Sequence, residues 1–431
     1  MRELLEESFR AAVAAANPLQ ILPAHLPPPT GGRTFVAGAG KAAATMALAV
    51  EKHWPADAPL EGIALTRYGH GLPTSRIRVI EASHPIPDEA GEKAAREILE
   101  GVRALGPDDR LLALVSGGGS ALLSLPADGV PMVDLKNVTS QLLRCGAAIQ
   151  EINTVRKHLS AIQGGQLAAA CRAPVLALIV SDVTGDNPTH VASGPCSPDP
   201  TTYAESLGVL AKYSIEAPLS VRWRLESGAE GRTPETPKPG DPALSHVETR
   251  VIGTAHRSLE AGAKRLRNGG VTAVVLSDSI TGEAAEVAKV MAALAREVRM
   301  YGSPWRPRVA LLSGGECTVT VRAERGRGGR CAEFLLALAI ELEGVENVWA
   351  IAADTDGIDG TEDNAGAILS PDTLARARAS GLDAKAMLAA NDSYGFFAAL
   401  GDLVVTGPTR TNVNDYRAVL VTTISGSTHD S

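Results

Sequence analysis

Two apolar runs in the chain stop on the same tripeptide. Leu111 to Val115 leads into Ser116-Gly117-Gly118-Gly119-Ser120, and Val309 to Leu312 leads into Ser313-Gly314-Gly315-Glu316. A short apolar run bounded by glycines reads as a buried strand. Glycines at its end let backbone N–H groups approach an anion with no Cβ in the way. Both endings are candidate phosphate or carboxylate cradles, with a tight crossover turn as the plainer reading of the first. The second ends in a carboxylate, Glu316, which either holds a cation or caps the segment after it. A third glycine turn, Gly38-Ala39-Gly40-Lys41, follows the run from Phe35 and sets an ammonium beside a helix start, where anions bind.

The third turn is not a Walker A loop, which needs Gly at Phe35 and Ser or Thr at Ala42. Gly38 to Ala43 does fit a relaxed G-x-G-x-x-A dinucleotide fingerprint. The acid expected about 20 residues later is missing, because the next strand ends at Thr66-Arg67. A packing turn with a surface lysine is the alternative.

Acidic loops follow two further runs: Ser181-Asp182-Val183-Thr184-Gly185-Asp186 and Asp354-Thr355-Asp356-Gly357-Ile358-Asp359. Carboxylates at strand ends suit Mg²⁺, which takes one or two of them plus phosphate oxygens, so Asp182, Asp186, Asp354 and Asp356 are candidate ligands. The same residues are also ordinary turn formers. Gly328-Gly329-Arg330 opens a helix with a guanidinium suited to bidentate phosphate recognition, or else forms a hairpin tip. Asn153, Arg156 and Lys157 share one helical face, a carboxylate-binding surface or a solvated basic face. Nothing in the spacing of Thr406-Gly407-Pro408-Thr409 through Asp415 assigns that loop a role. No Ser-His-Asp order, G-x-S-x-G elbow or H-E-x-x-H is present, and His84 is a base or a turn residue.

The elements that must position these groups alternate between strand and helix patterns, as in βαβ units. The expected fold is α/β: two Rossmann-like domains with mostly parallel sheets, spanning 1–235 and 236–431. Residues 227–246, rich in Gly, Pro, Thr and Glu, read as a linker or exposed loop. The strands expected within Leu403 to Ile424 can return to either sheet. At 431 residues with 45% hydrophobic but only 3% aromatic content, the core must be built from Ala, Leu, Val and Ile. The 41 basic and 49 acidic residues give a net charge of −8 without blocks, which excludes the basic footprint of a nucleic-acid binder. Five scattered cysteines give no disulfide or zinc spacing. No run is apolar enough for a membrane span, and a soluble, cytoplasmic protein is expected.

Taken in order, these motifs, with Glu151 to Ser160, Ser193-Gly194-Pro195 and Gly360 added, resemble the glycerate 2-kinases of the MOFRL family, or class II glycerate kinases, over nearly the full chain. The resemblance implies an active site in an interdomain cleft and transfer of the ATP γ-phosphoryl group to the 2-hydroxyl of D-glycerate, with Mg²⁺. It implies Lys41 and Arg330 as active-site cations, with Asp182 and Asp186 as further catalytic candidates. Substrate and nucleotide are expected on Gly38, Gly40, Ser116, Gly117, Gly118, Gly119, Ser120, Asn153, Arg156, Lys157, Ser313, Gly314, Gly315, Glu316, Gly328, Gly329, Thr406 and Gly407. A monomer or homodimer is expected. Cys331-Ala332 departs from the Asn-Gln of many relatives, and Arg410 from their Gly. Some relatives carry the label hydroxypyruvate reductase, so an NAD(P)H-dependent reductase is the rival activity, and a non-catalytic sugar-phosphate or nucleotide sensor is the third class.

Overall fold

A computed structural model describes residues 1–323, 326–343 and 345–423. The chain divides into two compact units, residues 18–252 and residues 1–17 with the chain from 253 onward.

The first unit is built on β1 (Thr34–Ala39), β2 (Leu60–Arg67), β3 (Ile77–Ala82), β4 (Arg110–Ser116), β5 (Val175–Val180) and β6 (Val247–Gly253). Their order is β3-β2-β1-β4-β5-β6. The pairings β3/β2, β2/β1, β1/β4 and β4/β5 are all parallel. β1 and β5 are buried along their whole length, as strands covered on both faces must be. Strand order reverses beside β1, whose neighbours are β2 and β4. Such a switch point leaves a crevice at the carboxyl ends of the strands. Ala39 is in register with Val115 there, so the Gly38–Lys41 and Ser116–Ser120 turns leave the sheet side by side.

The second unit holds β7 (Thr272–Ser277), β8 (Gly282–Glu283), β9 (Val309–Ser313), β10 (Cys317–Thr318), β11 (Val348–Asp354), β12 (Gly366–Leu369), β13 (Leu403–Val404) and β14 (Asp415–Val421). Six of them form a sheet in the order β13-β12-β11-β14-β9-β7, while β8 and β10 pair separately. In that sheet only β7/β9 is parallel. β14 lies antiparallel to both β11 and β9, and β12 is antiparallel to β11 and β13. The α/β class holds, but mostly parallel pairing is corrected for this sheet. An apolar run buried on both faces carries no record of its neighbour's direction, which the connecting chain decides. Both tail strands return to this sheet. Ile424, the expected end of the last, lies outside the described residues.

The division lies after Ile252 rather than after Glu235, and the first residues join the second unit. Helix Arg2–Ala15 packs Leu5, Phe9 and Ala12 against Leu259, Ala263 and Leu266 of helix Ala255–Asn268. Ser258 Oγ donates to the Ala12 carbonyl at 2.9 Å, and Tyr416 O–H donates to Ser8 Oγ at 2.9 Å.

The segment expected as a linker is instead strapped onto the first unit by buried charge. Lys157 and Asp199, each at most 1% exposed, pair at 3.3 Å, and Lys157 Nζ also donates to Thr189 Oγ1 at 2.8 Å. Thr236 donates to the other Asp199 oxygen at 3.0 Å, and the Asp199 N–H donates to the Pro237 carbonyl at 2.8 Å. The His158 ring lies between the Thr154 carbonyl and Glu235, 2.8 and 3.2 Å from them. Burial alone would raise the Asp199 carboxyl, but Lys157, Thr201 and His158 hold it below its ordinary value. Burial lowers the Lys157 ammonium against the pull of Asp199. A proline-rich run has no periodicity to reveal such anchoring.

This packing sets two expected outcomes. Phe9→Ala costs about 3–5 kcal/mol, and hydrogen exchange shows the loss in Ala255–Asn268 and β14 but not in β1 to β5. Lys157→Met leaves Asp199 buried without its cation and costs about 3–5 kcal/mol in urea denaturation. Because the folded Asp199 pKa is depressed, its contribution is present above the unfolded value of about 3.9 and is lost as pH falls through the folded one. Wild type therefore shows a steeper acid limb than Asp199→Asn.

Candidate active-site residues

In the first unit, the Gly38–Lys41 turn leaves β1 and is tied to the turn after β4. The Lys41 N–H donates to the Gly117 carbonyl at 2.8 Å, and the Ala42 N–H donates to Ser116 Oγ at 3.1 Å. Gly40 has φ +129°, and a Cβ there would press on the Ser116 carbonyl carbon at 2.7 Å, so only glycine lets the two turns close. Ser116 is fully buried, and its hydroxyl serves this tie. The amides of Gly117, Gly118 and Gly119 donate to no acceptor among the described residues. A Cβ on Gly118 would lie 3.1 Å from His84 Nε2 and 3.3 Å from Lys41 Cγ, so both side chains flank this turn. Ser120 Oγ lies 2.8 Å from Ser193 Oγ, which donates to Asn153 Oδ1 at 3.1 Å.

The expected face of Asn153, Arg156 and Lys157 is thus split among three jobs. Asn153 holds Ser193, and Lys157 is committed to the buried Asp199 network. Arg156 alone remains turned to a small cavity lined also by Ser120 and Gln163. Burial pushes its guanidinium down to about 10. Asp182 and Asp186 lie in the loop after β5, partly exposed, and each has polar partners.

In the second unit, β11 and β14 set Asp354 and Asp415 in register. Arg330, the first residue of helix Arg330–Glu341, spans both. Its Nε donates to Asp415 at 2.8 Å, its Nη2 to Asp354 at 2.6 Å, and its Nη1 lies 3.2 Å from Glu316. Burial disfavours its charge, but Asp415, Asp354 and Glu316 raise its pKa above the ordinary arginine value. Asp359 accepts the N–H groups of Cys331 and Ala332 at 3.0 and 2.8 Å and so caps the same helix. Gly329 is required there: a Cβ would sit 2.5 Å from the Asp359 carboxyl carbon. Burial raises the Asp359 carboxyl to about 7, against the pull of those two amides.

The Ser313–Glu316 turn is buttressed by Arg417, whose guanidinium donates to the carbonyls of Gly314 and Ile280 and to Cys317 Sγ. Gly328 abuts Ser393. Thr406 and Gly407 border Gly357, and the neighbouring Thr409 N–H donates to the Asp356 carbonyl at 3.0 Å. Asp415, Arg417 and Asp359 as a cap were missed in the sequence, because strand register and helix approach assign them and local spacing does not.

Among the described residues, no group of three or more His, Cys, Asp or Glu side chains is arranged to hold a metal ion. Asp354 is held in place by two donors, each of its oxygens keeping a further lone pair. One oxygen accepts from Arg330 and the other accepts the Asp356 N–H at 2.9 Å. Asp182, Asp186, Asp354 and Asp356 keep the hard oxygen chemistry that Mg²⁺ prefers.

Comparison with known proteins adds a second line. Residues 4–226 match a domain of unknown function, DUF4147, and residues 309–415 match the MOFRL family. A protein of Agrobacterium vitis, provisionally named a hydroxypyruvate reductase, is 50% identical over 97% of this chain and 94% of its own. A D-glycerate 2-kinase of Thermotoga maritima is 39% identical, covering 96% of this chain and 97% of its own. The crystal structure of a glycerate kinase from Thermotoga maritima superposes with a TM-score of 0.86 at 38% identity, over 97% of this chain and 99% of that one. With glycine-framed Lys41 in one unit and carboxylate-held Arg330 in the other, the chain belongs to the MOFRL family of glycerate 2-kinases.

Proposed function

We propose that the protein transfers the γ-phosphoryl group of ATP to the 2-hydroxyl of D-glycerate. The observation that carries this reading is the Gly117–Gly119 turn, whose amides have no protein acceptor among the described residues and whose flank holds the Lys41 side chain. Unclaimed amides beside an ammonium suit an anion and need no reorganisation when charge develops.

Phosphoryl transfer asks for positioning and charge neutralisation more than covalent chemistry. Lys41 and the Gly117–Gly119 amides hold anionic oxygens of the reactants. Arg330 is proposed to stabilise charge on the transferred group, its fork fixed by Asp354, Asp415 and Glu316 so that it loses little entropy in doing so. Asp182 and Asp186 in the first unit, or Asp354 and Asp356 in the second, are proposed to hold Mg²⁺, which would screen the phosphate charges. One of these carboxylates is proposed to accept the hydroxyl proton.

The reductase reading has one observation in its favour: β3-β2-β1-β4-β5-β6 is the strand order of dinucleotide-binding folds. The amides that a pyrophosphate would need on the fingerprint turn speak against it. Those of Lys41 and Ala42 are donated to Gly117 and Ser116, and that of Ala43 to the Gly40 carbonyl.

Three measurements test the proposal. Wild type releases ADP from MgATP only when D-glycerate is present, and phosphorus NMR identifies 2-phosphoglycerate as the product. NADH and NADPH are not consumed with hydroxypyruvate. Lys41→Ala and Arg330→Ala each lower kcat on the order of 10³-fold; wild-type turnover in both would refute the assignment.

A further inference from the structure

Beside the Gly117–Gly119 turn, within the first unit, lies a cavity of about 10 Å³ lined by Ser120, Ser124, Lys136, Thr139, Arg156 and Gln163, among others. Its polar groups are unusual in what they lack. The Arg156 guanidinium, the Lys136 ammonium and the hydroxyls of Ser124 and Thr139 have no hydrogen-bond or ion-pair partner among the described residues. Ser124 is 5% exposed and Thr139 9%, but neither hydroxyl is sealed from water, so the pocket is open to a polar ligand.

Arg156 and Thr139 come from different helices, Ile149–His158 and Met132–Arg144. Lys136 and Thr139, three residues apart on the second, present one face. The acid that acts electrostatically on Lys136 is Asp88, and it is already occupied by Gly91 N–H at 3.0 Å, Ser83 N–H at 3.1 Å and Tyr68 O–H at 2.7 Å. Two cations and two hydroxyls therefore converge, with Asp88, itself engaged by three donors, as a carboxylate acting on Lys136. Such a group is costly to bury unless an anion completes it.

Size and chemistry narrow the anion. The enclosed space is about 10 Å³ on a measure where about 10–15 Å³ holds a single water, so a nucleoside or triphosphate chain does not enter it, and a carboxylate meets these groups at the cavity's mouth. A guanidinium fork matches a carboxylate's two oxygens, and the lysine and hydroxyls can meet their remaining lone pairs. Gln163 Nε2 donates to the carbonyls of Ser120 at 2.8 Å and Leu123 at 3.1 Å, and so fixes the wall between the cavity and the glycine turn. We infer that Arg156, Lys136, Ser124 and Thr139 form the carboxylate subsite for the acceptor acid, setting its hydroxyl end toward the glycine turn. This inference rests on the glycerate kinase reading above and adds the residues that select an acid over a neutral polyol.

The test uses full-length wild type, Arg156→Gln and Lys136→Gln, with D-glycerate and its uncharged amide, glyceramide, as acceptors. In each variant the KM for D-glycerate rises by about 100-fold, the KM for ATP stays within about twofold, and the preference for D-glycerate over glyceramide falls by at least about tenfold. Lys136→Gln alters a partly exposed helix position and serves if Arg156→Gln does not fold. Unchanged KM for D-glycerate in a folded variant overturns the subsite, as does a rise confined to ATP, which would make it a phosphate site. Calorimetric titration with D-glycerate in the absence of nucleotide separates this inference from the function. If wild type binds D-glycerate but releases no ADP, the kinase reading fails; loss of binding in the variants then still supports the carboxylate site, and retained binding overturns it. A wild type that binds no D-glycerate overturns both.

Discussion

A charge taken out of water must meet its opposite, and that constraint organises both units. Where the opposite is a side chain of the protein, the pair becomes scaffold. Lys157 with Asp199 fastens the 235–238 segment to the first unit, and Arg330 with Asp354 and Asp415 joins a helix start to two strand ends in the second. Removing one partner of such a pair costs far more than the pair contributes over an apolar replacement. Their value lies in fixing geometry. Three carboxylates hold the Arg330 guanidinium in one orientation, so its fork has little freedom left to lose. Arg156 stands out because its guanidinium has no ion-pair partner among the described residues.

Backbone amides follow the same logic with partial charges. The turn after β1 looks the better anion loop by sequence, with its G-x-G-x-x-A pattern and a lysine. In the folded chain its amides are consumed in closing against the turn after β4. The amides of the second turn have no acceptor among the described residues, and the Lys41 side chain of the first turn flanks them. The two glycine turns are therefore unequal: one is a strut, and the other keeps its donors available.

What the sequence disclosed was local. The glycine turns, the strand–helix alternation and the helix start at Arg330 could be read because each depends on a few adjacent residues and on sterics at a strand end. The family resemblance was legible too, because it gathers many such motifs in one order. Hidden features depended on distant partners. β14 reads as a buried strand, yet its direction and its place between β11 and β9 are set by tertiary packing. Asp415 gains its role from register with Asp354. Lys157 shared a helical face with Arg156 in sequence, but burial separates a structural cation from one turned to a cavity. The 227–246 segment has a loop's composition and a buttress's contacts, and composition records only the first.

Helix Arg2–Ala15 gives the chain an order in time. It precedes the first unit in the chain, yet the surfaces that cover Leu5 and Phe9 lie on Ala255–Asn268 and β14, which follow that unit. Between them the ribosome must deliver Pro18–Ile252, a passage of roughly tens of seconds at about 5–20 residues per second. During that interval the first unit has all its strands and can fold, while an amphipathic helix with an exposed apolar stripe waits for its partner. The helix is short and marginal by itself, and it bears Arg2, Glu3, Glu6, Glu7 and Arg10 along its polar side. Those charges keep the polar side of the helix hydrated until Ala255–Asn268 and β14 emerge to receive its apolar side.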